Sequence, residues 1–254
     1  MNELKALIFD VDGTLADTEE VHRISFNRAF AQFGLGWEWS QELYDQLLAV
    51  TGGKERIRHF VTTHLPGFID ADKLPEFAAE LHKIKTTIYT QMLAEGELQM
   101  RCGVARLLRE AHAQGVKLAI ATTTTYANVE ALINNTLEPN GIEWFDVVGA
   151  GDIVAHKKPA SDIYDLVLDN LRLPAAQCIA FEDSANGVVS AMGANLKTIV
   201  TLNHYTKDHD FNGAVIVLDQ MGEPDKPFTV LSGDAFGHTY LNLDLVKKLH
   251  NGCA

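Results

Sequence analysis

Short apolar runs alternate with amphipathic stretches along most of this chain. The runs are Ala6 to Phe9, Val116 to Ala121, Asp146 to Val148, Cys178 to Phe181, Lys197 to Val200 and Ala214 to Val217. Their length and bounding turn residues suit strands. Between them, Gly103 to Gln114, Ala127 to Leu137, Ser161 to Leu171 and Ser184 to Met192 read as helices. This alternation predicts an α/β fold: a doubly wound, Rossmann-like parallel sheet covered by helices on both faces. It also predicts where a ligand sits, beyond the carboxyl ends of the strands.

One block breaks the pattern. From Asp17 to about Met92 no good strand occurs. Glu19 to Phe33, Gln41 to Ala49, Glu55 to Thr63 and Lys73 to Leu93 read as amphipathic helices. An all-helical insertion directly after the first strand predicts a second, smaller domain. The expected division is a core of residues 1–16 and 97–254 with an inserted helical cap of residues 17–96. The joints fall near Leu15 to Glu19 and Gly96 to Met100. Beyond Gly213, Gly222 to Pro227 reads as a loop and Leu243 to Leu249 as a short last helix.

With 254 residues, 46% of them hydrophobic, the chain can bury one good core and a smaller companion. Its 21 basic and 34 acidic residues give a net charge of -13. That balance argues against nucleic-acid binding, which needs basic surface to neutralise phosphates. No apolar run is long enough to span a membrane, and no charged-then-apolar leader is present. Cys102, Cys178 and Cys253 are widely spaced and odd in number, so they are expected to be free thiols in a reducing cytoplasm.

Four apolar runs end in polar groups. The first ends in Asp10-Val11-Asp12-Gly13-Thr14, two acids two residues apart and a glycine turn. If extension continued, Asp10 and Asp12 would share a face. If the strand stops, they stand around a loop facing one centre. Either arrangement suits a divalent cation, since close like charges need a proton or a cation between them. The second run delivers Thr122 and Thr123, followed by turn amides that could hold phosphate oxygens or simply cap a helix. The third segment is His156-Lys157-Lys158-Pro159. The proline extends the residue before it and can aim Lys158 inward, with Lys157 then turned to solvent. The fourth run ends in Glu182-Asp183 at a helix start, as capping acids or as hard oxygen ligands.

Taken together and in this order, the four segments resemble the four motifs of the haloacid dehalogenase superfamily. Asp17-Thr18-Glu19-Glu20-Val21-His22 and the helical block resemble the cap of its beta-phosphoglucomutase-like branch. Thr51-Gly52-Gly53-Lys54-Glu55-Arg56-Ile57, the Thr-rich second motif and Lys157-Lys158-Pro159 are most similar to CbbY-type sugar-bisphosphate phosphatases. The chain departs from the branch at Cys102 and Ser161, where proline is usual.

The resemblance implies that Asp10 is a nucleophile forming an aspartyl-phosphate and Asp12 the general acid and base. It implies Mg²⁺ held by Asp10, the Asp12 carbonyl and Asp183 with Glu182 in support. Thr122 and Lys158 would bind the transferring phosphoryl group. Carried over from the branch as substrate contacts are Glu19, His22, Arg23, Lys54, Lys85 and Thr123. Lys54, after two glycines at a helix start, is the candidate for a second phosphate, and Arg56 and Arg58 read as surface residues. The implied substrate is a small phosphorylated sugar, xylulose 1,5-bisphosphate, which would place the enzyme beside carbon fixation (the Calvin cycle). A phosphomutase with the same nucleophile is the alternative. Carbon–halogen hydrolysis would need neither Asp12 nor Asp183, and a sugar-phosphate sensor would need no nucleophile. A monomer is expected, because the cap already covers the site.

Overall fold

The computed structural model describes residues 3–96 and 98–252. Cys253 and the expected joint at residue 97 lie outside the described residues.

The described residues form a seven-stranded sheet in the order β3-β2-β1-β4-β5-β6-β7. These strands are β1 Ala6–Phe9, β2 Lys117–Thr122, β3 Phe145–Ala150, β4 Cys178–Glu182, β5 Lys197–Thr201, β6 Ile216–Leu218 and β7 Val230–Gly233. Every pairing from β3 to β6 is parallel, and β7 joins β6 antiparallel. Strand β1 lies between β2 and β4, so the chain order reverses beside it, where open α/β sheets bind ligands.

The helices are α1 Glu19–Gln32, α2 Gln41–Leu47, α3 Gly53–His64, α4 Leu74–Ala94, α5 Val104–Ala113, α6 Tyr126–Thr136, α7 Asp162–Leu171, α8 Ala185–Gly193 and α9 Leu243–Asn251. The side-chain period of two explains why β1 is apolar throughout. Leu7 and Phe9 join a cluster with Leu107 and Leu108 of α5, Val129 and Leu132 of α6, and Leu245 and Val246 of α9. Ala6 and Ile8 join the opposite cluster with Ile163 and Val167 of α7 and Ala191 of α8.

Helices α1 to α4 build their own aromatic cluster of Phe26, Phe30, Trp39, Tyr44 and Phe60. The Phe26 and Trp39 rings pack tilted at 45° with centroids 4.7 Å apart. The last turns of α4 instead contribute Tyr89, Met92 and Leu93 to the sheet's own cluster. At the two crossovers, an isolated bridge joins Ala16 to Met100. No helix among the described residues is long and apolar enough to cross a membrane.

Strand β7 was not expected from the sequence. All of its residues are exposed, and it forms only by pairing with β6 at the sheet edge.

Candidate active site

Strand β1 ends at Phe9, and the main chain then turns instead of extending. The Asp10 amide still donates to the Phe181 carbonyl at 3.0 Å, tying this residue to β4. The Val11 carbonyl accepts from the amides of Thr14 and Leu15 at 3.2 and 2.9 Å. Gly13 makes the turn at φ +80°, where a Cβ would stand 2.2 Å from Asp183 Oδ2. Both conformation and space therefore require glycine there. The two acids of the first motif thus stand around a loop.

Four strand-end segments meet in this place. Lys158 Nζ donates to Asp10 Oδ1 at 2.7 Å and to Glu182 Oε1 at 2.5 Å. The Tyr164 hydroxyl donates to the same Glu182 oxygen at 2.6 Å. Glu182 Oε2 is buried without a partner. One ligand oxygen each from Asp10, Glu182 and Asp183 lies within 4.8 Å of the others. Three buried carboxylates around one ammonium leave an excess of negative charge in a poorly hydrated space. An all-oxygen donor set with an orphaned buried oxygen fits a hard divalent cation.

The titration of these groups shows the same excess. Burial pushes Asp10 up to about 7; Lys158 opposes this, and Glu182 and Asp12 add to it. Burial, Asp10 and Glu182 likewise raise Asp183 well above the carboxylate range. In the metal-free protein the folded state therefore holds protons that the unfolded chain has released between about pH 4 and 7. Its stability falls as pH rises through that window. We expect the melting temperature of EDTA-treated protein to drop between about pH 5 and 8, and excess Mg²⁺ to restore it at the upper end. A metal-free melting temperature that is flat over this range contradicts the carboxylate reading.

Asp12 faces the helical block. Its Oδ1 accepts from the Thr18 hydroxyl at 2.7 Å and lies 2.9 Å from His22 Nε2. His22 Nδ1 lies 2.5 Å from Lys85 Nζ. An ammonium can only donate, so Nδ1 accepts and Nε2–H is left to donate to Asp12. Burial and the Lys85 charge lower His22, consistent with a neutral ring. Burial brings Lys85 down to about 7, although Asp12 opposes the shift. Its ammonium sits over the rings of Phe26 and Tyr89 at 5.0 and 4.7 Å, and His22 stacks on Tyr89.

A cavity of about 560 Å³ lies between the strand ends and the helical block. Asp10, Asp12, Thr122, Thr123, Lys158 and Asp183 line one side, and Glu19, His22, Lys54 and Lys85 the other. Thr122 is buried, and its hydroxyl accepts from the Thr124 amide at 3.2 Å. Glu19 accepts from the Tyr44 hydroxyl at 2.9 Å. Lys54 pairs with Asp152. Arg23 stands apart: its guanidinium donates to Glu20 and to the Trp39 carbonyl, and it does not line the cavity.

Two residues differ from the sequence expectation. Arg56 is buried and lines the cavity, because α2 closes over the start of α3. There it donates to the Tyr44 hydroxyl at 2.9 Å and the Leu47 carbonyl at 3.2 Å. Lys157 does not face open solvent: α3 brings Glu55 to 2.9 Å from its ammonium, and Asp152 stands at 2.7 Å. Arg58 is exposed, as expected, and pairs with Glu55.

Three further residues at the site carried no signal in the sequence. Tyr164 orients Glu182, Asn203 donates to Asp183 at 2.7 Å, and His82 lines the cavity near Lys54 and Lys85. Each reaches its place by a fold contact rather than by a motif.

Buried strand-end carboxylates around a lysine, facing a helical block across one cavity, define a class of site that similarity to known proteins specifies. The family model described as haloacid dehalogenase-like hydrolase matches residues 7–201. The chain belongs to this family, and it is an enzyme of the phosphoric monoester hydrolase class. Protein CbbY of Rhodobacter capsulatus is 51% identical over 212 residues, 84% of this chain and 91% of its own. The plasmid-borne protein CbbY of Cupriavidus necator is 42% identical over 252 residues, 98% of each chain. A crystal structure of a CbbY mutant from Rhodobacter sphaeroides, in complex with xylulose 1,5-bisphosphate, matches with a TM-score of 0.80 at 46% identity. That match covers 85% of this chain and 94% of the other.

Proposed function

We propose that the protein is a Mg²⁺-dependent phosphatase that hydrolyses a sugar bisphosphate, xylulose 1,5-bisphosphate, through an aspartyl-phosphate on Asp10. The observation that carries the substrate is the likeness to the CbbY structure holding that sugar. The chemistry rests on Lys158, Asp10 and Asp12 meeting at one wall of one cavity.

Asp10 attacks the phosphorus atom and the ester oxygen leaves with a proton from Asp12. Water then attacks the aspartyl-phosphate, with Asp12 taking its proton. Thr122 and Lys158 hold the equatorial oxygens, where negative charge collects. Asp10, the Asp12 carbonyl and Asp183, with Glu182 in support, would hold the cation, which supplies positive charge against the transferring group. Burial raises Asp12, but His22 and Thr18 outweigh it and hold the carboxyl below the ordinary carboxylate range, so Asp12 takes up the proton it delivers only when movement of the helical block loosens these bonds. Residues 17–96 thereby act as a lid that couples closure to proton transfer.

On the far wall, Lys54 sits in the first turn of α3 beside Gly52 and Gly53, where amides and an ammonium converge. We assign the second phosphate there. Lys54→Ala is expected to raise KM for the bisphosphate about tenfold, roughly 1.4 kcal/mol, while leaving KM for the matching monophosphate within about twofold. Steady-state kinetics on both substrates test this. Equal effects on the two remove Lys54 from the distal-phosphate role.

A further inference from the structure

Arg101 makes more polar contacts than the fold of a surface crossover requires. It lies at the second crossover into the helical block, where its amide donates to the Leu15 carbonyl at 2.9 Å. Its side chain is nearly covered and pairs through Nε with the exposed Asp17 at 3.2 Å. Nη1 donates to the carbonyls of Gly13 and Thr201, the latter at 2.9 Å, and to the Thr201 hydroxyl at 3.2 Å. Nη2 donates to the carbonyls of Leu202 at 2.6 Å and Asp219 at 3.1 Å.

One guanidinium thus pins two main-chain segments that both reach the carboxylate cluster. The first is the turn through Gly13, next to Asp12. The second is the end of β5 through Leu202, the residue that precedes Asn203. The Asn203 amide has a fixed orientation: its Oδ1 accepts from the Tyr205 amide at 2.9 Å, so Nδ2 must face Asp183. Its main-chain amide is held in turn by the Thr206 hydroxyl at 3.0 Å. The Gly13 turn packs so closely on this pair that a Cβ there would lie 2.4 Å from Asn203 Nδ2.

We propose that Arg101 and Asn203 are positioning residues that set the cation-binding side of the site, Asn203 by orienting the Asp183 carboxylate and Arg101 by fixing the two main-chain segments that carry Asn203 and the Asp12–Gly13 peptide. Only a forked, planar donor can serve carbonyls from separate segments at once, so lysine cannot replace Arg101. Partners that orient metal ligands usually contribute about ten- to a hundredfold to metal affinity. The proposal rests on the divalent-metal reading above but on no particular sugar.

The test is Mg²⁺ binding by calorimetry to metal-free wild type, Asn203→Ala and Arg101→Lys, without substrate, together with thermal melting and kinetics at saturating Mg²⁺. Both variants are expected to bind Mg²⁺ about ten- to a hundredfold more weakly. The KM of Arg101→Lys for the sugar phosphate at saturating Mg²⁺ should stay within about twofold, because Arg101 does not line that cavity. A merely structural role would lower the melting temperature and leave Mg²⁺ affinity unchanged. Wild-type affinity in both folded variants overturns the proposal alone. A wild-type protein that binds no divalent cation overturns the metal reading and this proposal with it.

Discussion

Asp10→Asn will abolish turnover and leave the fold standing. In the proposed mechanism the Asp10 carboxylate, bonded to Lys158, forms and releases an acyl phosphate, and an amide cannot replace it. Loss of a catalytic nucleophile costs about four to six orders of magnitude in kcat. The substitution keeps the shape of the side chain and an oxygen for Lys158 to contact. It also removes one of the three carboxylates packed against each other. In metal-free protein near pH 8 the variant should therefore melt at or above the wild-type temperature, since one source of like-charge repulsion is gone. Rate measurements with thermal melting check both halves. Turnover close to wild type would remove Asp10 from the nucleophile role.

Lys158→Ala is expected to damage both activity and stability. The ammonium is buried and bonds to Asp10 and Glu182, whose fields, outweighing the burial that lowers it, hold its pKa above the ordinary lysine value. Removing it leaves the carboxylate cluster without its compensating charge. Breaking a buried pair from one side costs about 3–5 kcal/mol. Loss of the charge facing the transferring phosphoryl should lower kcat by about two to three orders of magnitude. The stability defect has a sign that can be checked. It should be largest above about pH 7 and shrink as acid protonates the abandoned carboxyls. A defect that grows on acidification, or a variant as stable as wild type at pH 8, contradicts the charge balance described for this site.

Much of the fold is legible in the sequence, because β1, β2, β4, β5 and β6 are buried on two faces and read as apolar runs, and the half-buried β3 still carries a short one. Asp10, Thr122 and Asp183 follow from the same pattern, since they stand where those runs stop. Strand β7 is not legible, because its four residues are exposed and owe their conformation to the neighbouring β6. The environment of the cap residues is equally hidden. Arg56 is buried only because Tyr44 and Leu47 accept its hydrogen bonds, and Lys157 is paired only because Glu55 arrives from the helical block. Arg101 belongs to no motif in the sequence. The four carbonyls that define its place come from three segments far apart in the chain, Gly13, Thr201–Leu202 and Asp219. Local pattern carries the strand ends, and long-range contacts of side chains and main chain orient them.

The central claim, a metal-dependent phosphatase with a two-phosphate sugar substrate, is tested most directly by phosphate release. The panel is xylulose 1,5-bisphosphate, ribulose 1,5-bisphosphate, fructose 1,6-bisphosphate and beta-glucose 1-phosphate, each with Mg²⁺ and with EDTA. The expected result is Mg²⁺-dependent release that strongly prefers xylulose 1,5-bisphosphate. Conversion of beta-glucose 1-phosphate to glucose 6-phosphate, with no free phosphate from any member of the panel, would contradict it and make the enzyme a mutase.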